Sequence, residues 1–199
     1  MMFVRQISAV AAVLALAASR PVGAQERGIT LFASGGGYSA LRDLNSAGTD
    51  QFERGFTLGG GVGYAVDKNL ELRATLTGAQ SRLVDQGRKT SVYLNRYYVA
   101  GELKFKYPFG GGLAPYGFVG LGAVRLHETR TTGGDKTQGF ADLGVGLAYG
   151  VGKSGLSLFV QGTGFFYSLT ELMSPTFTRF SRAQLDAGWT AGAAYRLAL

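Results

Sequence analysis

The most constraining feature of this chain is a two-residue alternation that recurs from Ile29 to its last residue. Phe56, Leu58, Gly60, Val62 and Tyr64 occupy one set of alternate positions, and Thr57, Gly59, Gly61, Gly63 and Ala65 the other. Leu70, Leu72, Ala74 and Leu76 then alternate with Glu71, Arg73, Thr75 and Thr77. Tyr97, Val99, Gly101, Leu103, Phe105 and Tyr107 alternate with Tyr98, Ala100, Glu102, Lys104 and Lys106. Leu143, Val145, Leu147, Tyr149 and Val151 oppose Asp142, Gly144, Gly146, Ala148 and Gly150, and Leu185 to Leu199 repeats the pattern against Gln184, Asp186, Gly188 and Arg196. Successive side chains of a strand point to opposite faces, so each segment reads as a strand with one apolar and one small or polar face. Three segments are less regular: 29–38, 116–126 and 156–169, the last with Phe159, Phe165 and Tyr167 on its nominally polar face. Almost no helical periodicity appears after residue 27.

Eight such segments are separated by breaks of two sizes in turn. The short breaks are Val66-Asp67-Lys68-Asn69, Pro108 to Ala114, and Gly152-Lys153-Ser154-Gly155; long polar ones lie near 41–54, 79–91, 127–138 and 170–182. Ahead of them, Arg5 precedes an apolar run from Ile7 to Ala18, and Val22-Gly23-Ala24 forms a small-x-small site. This pattern predicts a cleaved signal peptide over 1–24 and a barrel domain over 25–199. The apolar run covers about 18 Å as a helix, short of the ~30 Å hydrocarbon core, so it is no anchor. No later stretch supplies the ~18 apolar residues of a membrane helix. An exported chain that nevertheless embeds in a membrane must close its sheet, because lipid leaves no partner for a free strand edge. The expectation is an all-β fold: an eight-stranded, antiparallel, up-and-down transmembrane barrel with short periplasmic turns and longer external loops.

Periodicity alone does not say which face is inside. The lumen of an eight-stranded barrel is only wide enough for side chains, which suits the face dominated by Gly, Ala and Thr. Of 199 residues 32 are glycine, and the glycine runs continue the two-residue pattern with no helix after them. They read as lumen space rather than as phosphate loops. The charges on that face nearly balance: Glu71, Glu102, Asp142 and Asp186 against Arg73, Lys104, Lys106, Arg125 and Arg196. Buried charges are tolerated in pairs, so these nine are the candidate lumen network, with Arg125 and Asp142 expected to pair across the 127–138 loop. Tyr64, Tyr107, Tyr116, Tyr149 and Tyr195 share the apolar parity close to a short turn or the C-terminus. They are the candidate aromatic girdle of the periplasmic interface.

Taken together, these segments resemble the small eight-stranded outer-membrane proteins of the OmpA transmembrane domain, OmpX and opacity-protein type. The resemblance covers 25–199 and implies location in the bacterial outer membrane. It also implies that the last strand, with Tyr195, Leu197 and Leu199, is the signal read by the barrel-assembly machinery, although the chain ends on Leu where that group usually has Phe. Function follows from it only weakly, since barrels of this type serve as scaffolds for many activities.

No cysteine is present, which excludes disulfides, thiol nucleophiles and thiolate metal sites. No cofactor or metal site is expected. The single histidine, His127, is the one weak catalytic candidate, for a lipid A-modifying hydrolase or acyltransferase with a nucleophile among Ser81, Ser91, Ser168 and Ser174. The long loops carry nine basic and seven acidic residues, a mixture in keeping with a solvated surface or with contact to lipopolysaccharide phosphates or another surface ligand. The formal charge of +7 falls to +5 once Arg5 and Arg20 leave with the signal peptide, and its dispersal argues against nucleic acid. The leading expectation is a non-enzymatic outer-membrane scaffold for surface loops, in envelope integrity or adhesion; a narrow conduit for small or hydrophobic solutes is the third reading.

Overall fold

The computed structural model describes residues 27–41, 50–85, 90–129, 135–152, 154–170 and 181–198. The expected signal peptide and Leu199 lie outside them. The strands are β1 (Gly28–Ala40), β2 (Asp50–Phe52), β3 (Gly55–Ala65), β4 (Leu70–Asp85), β5 (Thr90–Lys106), β6 (Leu113–Glu128), β7 (Lys136–Gly150), β8 (Leu156–Thr170) and β9 (Ser181–Ala198). β2 and β3 both pair with β4, one after the other, and together make a single interrupted stave. Every pairing is antiparallel, each stave lies beside its sequence neighbours, and β1 closes on β9. The result is a closed, eight-stranded, antiparallel, all-β barrel.

The register fixes its geometry. Gly28 pairs with Ala65, and the row runs on through Glu71, Lys104, Phe118, Gly144, Thr163 and Gly188 to Tyr38. One circuit therefore returns to β1 ten residues further along, which tilts the strands by about 40° to the axis. A barrel of this size has no room for an open channel once its inward side chains are large.

Local chemistry sets the short turns. Asp67 Oδ1 accepts hydrogen bonds from the amides of Asn69 and Leu70, both at 2.7 Å, and folds 66–69 back between β3 and β4. Gly152 (φ 59°) and Gly155 (φ 77°) provide the left-handed positions of the β7–β8 turn. At the other end of the barrel the strands outlast the apolar pattern. β4 continues to Asp85 and β5 begins at Thr90, so most of the 79–91 segment expected as loop is strand. Backbone pairing needs no apolar side chains, so the strands run on where the lipid-type alternation ends.

The two faces differ throughout. Leu58, Val99, Leu121, Val145 and Val160 stand on the outer wall, Val145 being 67% exposed, while Glu71, Arg73, Glu102, Asp142 and Asp186 are buried within. An apolar coat of this extent belongs against lipid and not water.

Candidate functional site

The interior is filled by two clusters stacked along the barrel. The one nearer the long loops is built around Asp186, whose side chain is 0% exposed, as is that of Arg96. Arg96 Nε lies 3.5 Å from Asp186 Oδ2 and donates to the Tyr167 hydroxyl at 3.1 Å, while Nη1 donates to Ser81 Oγ at 2.7 Å. Three tyrosine hydroxyls converge on the same carboxylate oxygen: Tyr167 at 2.5 Å, Tyr98 at 3.3 Å, and Tyr38. Gln184 Nε2 donates to the other oxygen at 3.1 Å. Around this knot Tyr98 stacks on Phe165 with centroids 4.5 Å apart and meets the edge of Phe140 at 5.1 Å. Both carboxylate oxygens and all three tyrosine hydroxyls are hydrogen-bonded, as burial in low dielectric requires.

The cluster nearer the short turns collects Glu71, Arg73, Glu102, Lys104 and Lys106. Arg73 Nε donates to Glu71 Oε1 at 3.0 Å and Nη1 approaches Glu102 Oε2 at 3.5 Å; Lys106 Nζ donates to Glu71 Oε2 at 2.7 Å. Aromatic rings complete the packing. The Arg73 guanidinium lies 4.5 Å from the Phe32 centroid and Lys104 Nζ 3.9 Å from that of Tyr116. Glycines on neighbouring strands make room for these rings, since a Cβ at Gly144 would collide with Phe118 and one at Gly146 with Tyr116. A cavity of about 30 Å³ lies between the two clusters.

The remaining members of the expected network are placed as follows. Asp142 faces the cavity between the clusters, Asp186 anchors the first cluster, and Arg196 points inward near the short turns, against Gly28. Arg125 does not join them. It faces outward and binds Asp135 through Nε (2.8 Å) and Nη2, so the expected pair with Asp142 does not form. The error is one of parity: β6 carries Tyr116, Phe118, Val124 and Leu126 inside and Val119, Leu121 and Arg125 outside. For the same reason Tyr116 is not in the girdle. It is buried, and its hydroxyl donates to Gln161 Oε1 at 3.0 Å. Tyr64, Tyr107, Tyr149 and Tyr195 stand on the outer surface near the short-turn end, with Leu197 beside them. Arg96, Tyr38 and Tyr98 are not among the network candidates that the sequence offers, and Tyr167 stands there only as an aromatic on the polar parity. Tyr98 and Arg96 nonetheless share the parity of Glu102 and Lys104, which was the available signal.

His127 lies on the outer face at the loop end, with Nδ1 2.6 Å from Asp135 Oδ1. Hydrogen bonds from His127 and Arg125 hold the Asp135 carboxyl below its ordinary pKa. A histidine oriented by a carboxylate still needs a nucleophile. Ser81 is on the other side of the wall, bound to Arg96; Ser168 is exposed on β8, which does not pair with the His127 strand β6; and the side chains of Ser91 and Ser174 are outside the described residues. Among the described residues no three His, Asp or Glu side chains gather as a metal site.

A closed barrel of eight strands with a packed polar interior and an apolar coat defines a membrane-spanning β-barrel. The family model described as outer membrane protein beta-barrel domain matches residues 8–198, and the chain belongs to that family of outer-membrane proteins. Solved structures share the fold at low identity. Neisserial surface protein A is 14% identical with a TM-score of 0.58, covering 86% of this chain and 97% of that one. OprG of Pseudomonas aeruginosa is 10% identical with a TM-score of 0.57, covering 87% and 98%. Ail, the attachment invasion locus protein of Yersinia pestis, solved with the heparin analogue sucrose octasulfate, is 14% identical with a TM-score of 0.50, covering 86% and 100%. No curated protein matches the chain.

Proposed function

We propose that this protein is a non-enzymatic integral outer-membrane barrel that carries its external segments as a scaffold for surface interaction, adhesion or envelope integrity. The observation that carries this reading is the filled lumen. Two dehydrated clusters leave a chamber of about 30 Å³ between them, whereas the much larger concavity, about 880 Å³, lies on the outer apolar wall between Val62 and Phe166. A packed interior supports a scaffold over a conduit. The outward-facing Arg82 and Arg125 near the loop end give the outer-leaflet lipids, lipopolysaccharide included, cationic contacts. Insertion is proposed to use the barrel-assembly machinery, through the last strand with Tyr195, Leu197 and Leu199. The name of the Yersinia pestis protein makes attachment the first surface role to assay.

The test is deletion and complementation in the native host, reading attachment to anionic glycans and sensitivity of the envelope to detergent. Loss of either on deletion, restored by the wild-type chain and by His127→Ala alike, is the expected result. Altered lipid A mass spectra that depend on His127 would overturn the non-enzymatic reading. Stepwise currents through the reconstituted protein in planar bilayers would overturn the closed lumen.

A further inference from the structure

Glu102, Gly120 and Asp142 face one another in a single row across β5, β6 and β7. Gly120 carries no side chain, and the two carboxylates close over it. A Cβ there would collide with Asp142 Oδ1 and stand 2.8 Å from Glu102 Cγ. Glu102 is well served, since Thr75 Oγ1 donates to it at 2.9 Å and Arg73 approaches its other oxygen. Asp142 is not. It is only 5% exposed, its Oδ1 makes no hydrogen bond, and no cation among the described residues pairs with it. A second buried oxygen, Thr190 Oγ1, is also without a partner. Asp142 and Thr190 line the same chamber, together with Thr77, Thr163, Gln161, Glu102 and Arg73, whose guanidinium is turned to Glu71 and Glu102.

We propose that this chamber binds one partly dehydrated alkali-metal cation. A buried carboxylate without a counter-charge is strongly disfavoured. The neighbouring cations are committed elsewhere: Arg73 to Glu71 and Glu102, Lys106 to Glu71, and Lys104 to the face of Tyr116. The donors that remain are all oxygens, from one free carboxylate, hydroxyls and an amide, which is the ligand set of a hard cation. Glu102 already faces Arg73, so Asp142 is the carboxylate here without a direct cationic partner, and its single charge matches a monovalent ion better than calcium or magnesium. The volume suits an ion with one water, since a single water needs roughly 10–15 Å³ by this measure.

The full-length protein is refolded into lipid vesicles in rubidium chloride or, at equal ionic strength, in tetramethylammonium chloride, whose cation is too bulky for the chamber. A cation that binds only the folded barrel lowers the unfolding equilibrium constant about elevenfold at ten times its dissociation constant. The expected result is therefore a saturable rise of the urea midpoint in rubidium alone, absent in Asp142→Asn. Should that variant fail to fold, crystals of the wild-type protein grown in rubidium decide the matter, with an anomalous peak expected in coordination distance of Asp142 Oδ1. Equal midpoints in the two salts, or a chamber holding water without an anomalous peak, overturn the proposal.

Discussion

Removing the carboxylate at the centre of the first cluster is the most informative single perturbation. In Asp186→Ala the guanidinium of Arg96, whose side chain is 0% exposed, loses its counter-charge. Tyr38, Tyr98 and Tyr167 lose the acceptor they share. Breaking one partner of a buried ion pair costs about 3–5 kcal/mol. Each stranded hydroxyl adds about 1 kcal/mol, though these terms share an oxygen and do not simply add. A total of about 4 kcal/mol or more raises the unfolding equilibrium constant by roughly a thousandfold. Replacing both charges, Arg96→Met with Asp186→Leu, removes the desolvated pair together and is expected to recover the ion-pair cost, leaving about 1–3 kcal/mol for the hydroxyls that still lack their shared acceptor. The only tryptophan, Trp189, is 70% exposed on the outer wall and reports the transition by its fluorescence during urea unfolding in lipid vesicles. A cost below about 1 kcal/mol for the single variant, or a double variant as unstable as the single one, refutes a plug held by a dehydrated ion pair.

Further outcomes follow from the same geometry. Gly120→Val forces a branched side chain between Asp142 and Glu102, where even a Cβ stands 3.0 Å from the carbonyl of Gly101, and is expected to cost about 1–3 kcal/mol by the same unfolding assay. Leu143 is the middle residue of β7 on the apolar wall, so Leu143→Arg costs about 2–4 kcal/mol in vesicles, whereas Thr137→Arg near the loop end of that strand costs about 0–1 kcal/mol. Asp135 has a depressed folded-state pKa owing to His127 and then Arg125, so its contacts are intact above the unfolded carboxyl value and are lost as pH falls through the lower folded value. Carbon-13 titration of Asp135, compared with His127→Ala, checks this: its midpoint is expected to move up in the variant.

The alternation made β3, β4, β5, β7 and β9 legible, because lipid outside and small or charged groups inside give opposite hydropathy on the two parities. β6 broke that contrast. Its inward residues include Phe118, Val124 and Leu126, which pack the plug, while Arg125 and His127 face outward beyond the lipid. A rule that equates apolar with outward inverts Tyr116 and Arg125 for this reason. The aromatics of β8 gave the complementary hint, since Phe159, Phe165 and Tyr167 fall on the polar parity and lie inside. The Asp186 knot itself draws on β1, β4, β5, β8 and β9. Its assembly depends on the ten-residue shift around the barrel, which no local pattern encodes.

The central claim is that odd-numbered positions of β7 face lipid while even-numbered ones sit in a sealed lumen. The chain has no cysteine, so single-cysteine spin labels at each position from 139 to 147 can be read individually in lipid vesicles. Collision with oxygen, which partitions into lipid, is expected to peak at 141, 143 and 145. At 140, 142 and 144 the labels should be shielded from both oxygen and a water-soluble nickel complex. Strong nickel accessibility at the even positions contradicts a plugged barrel, and oxygen maxima at those positions contradict the assignment of inside and outside.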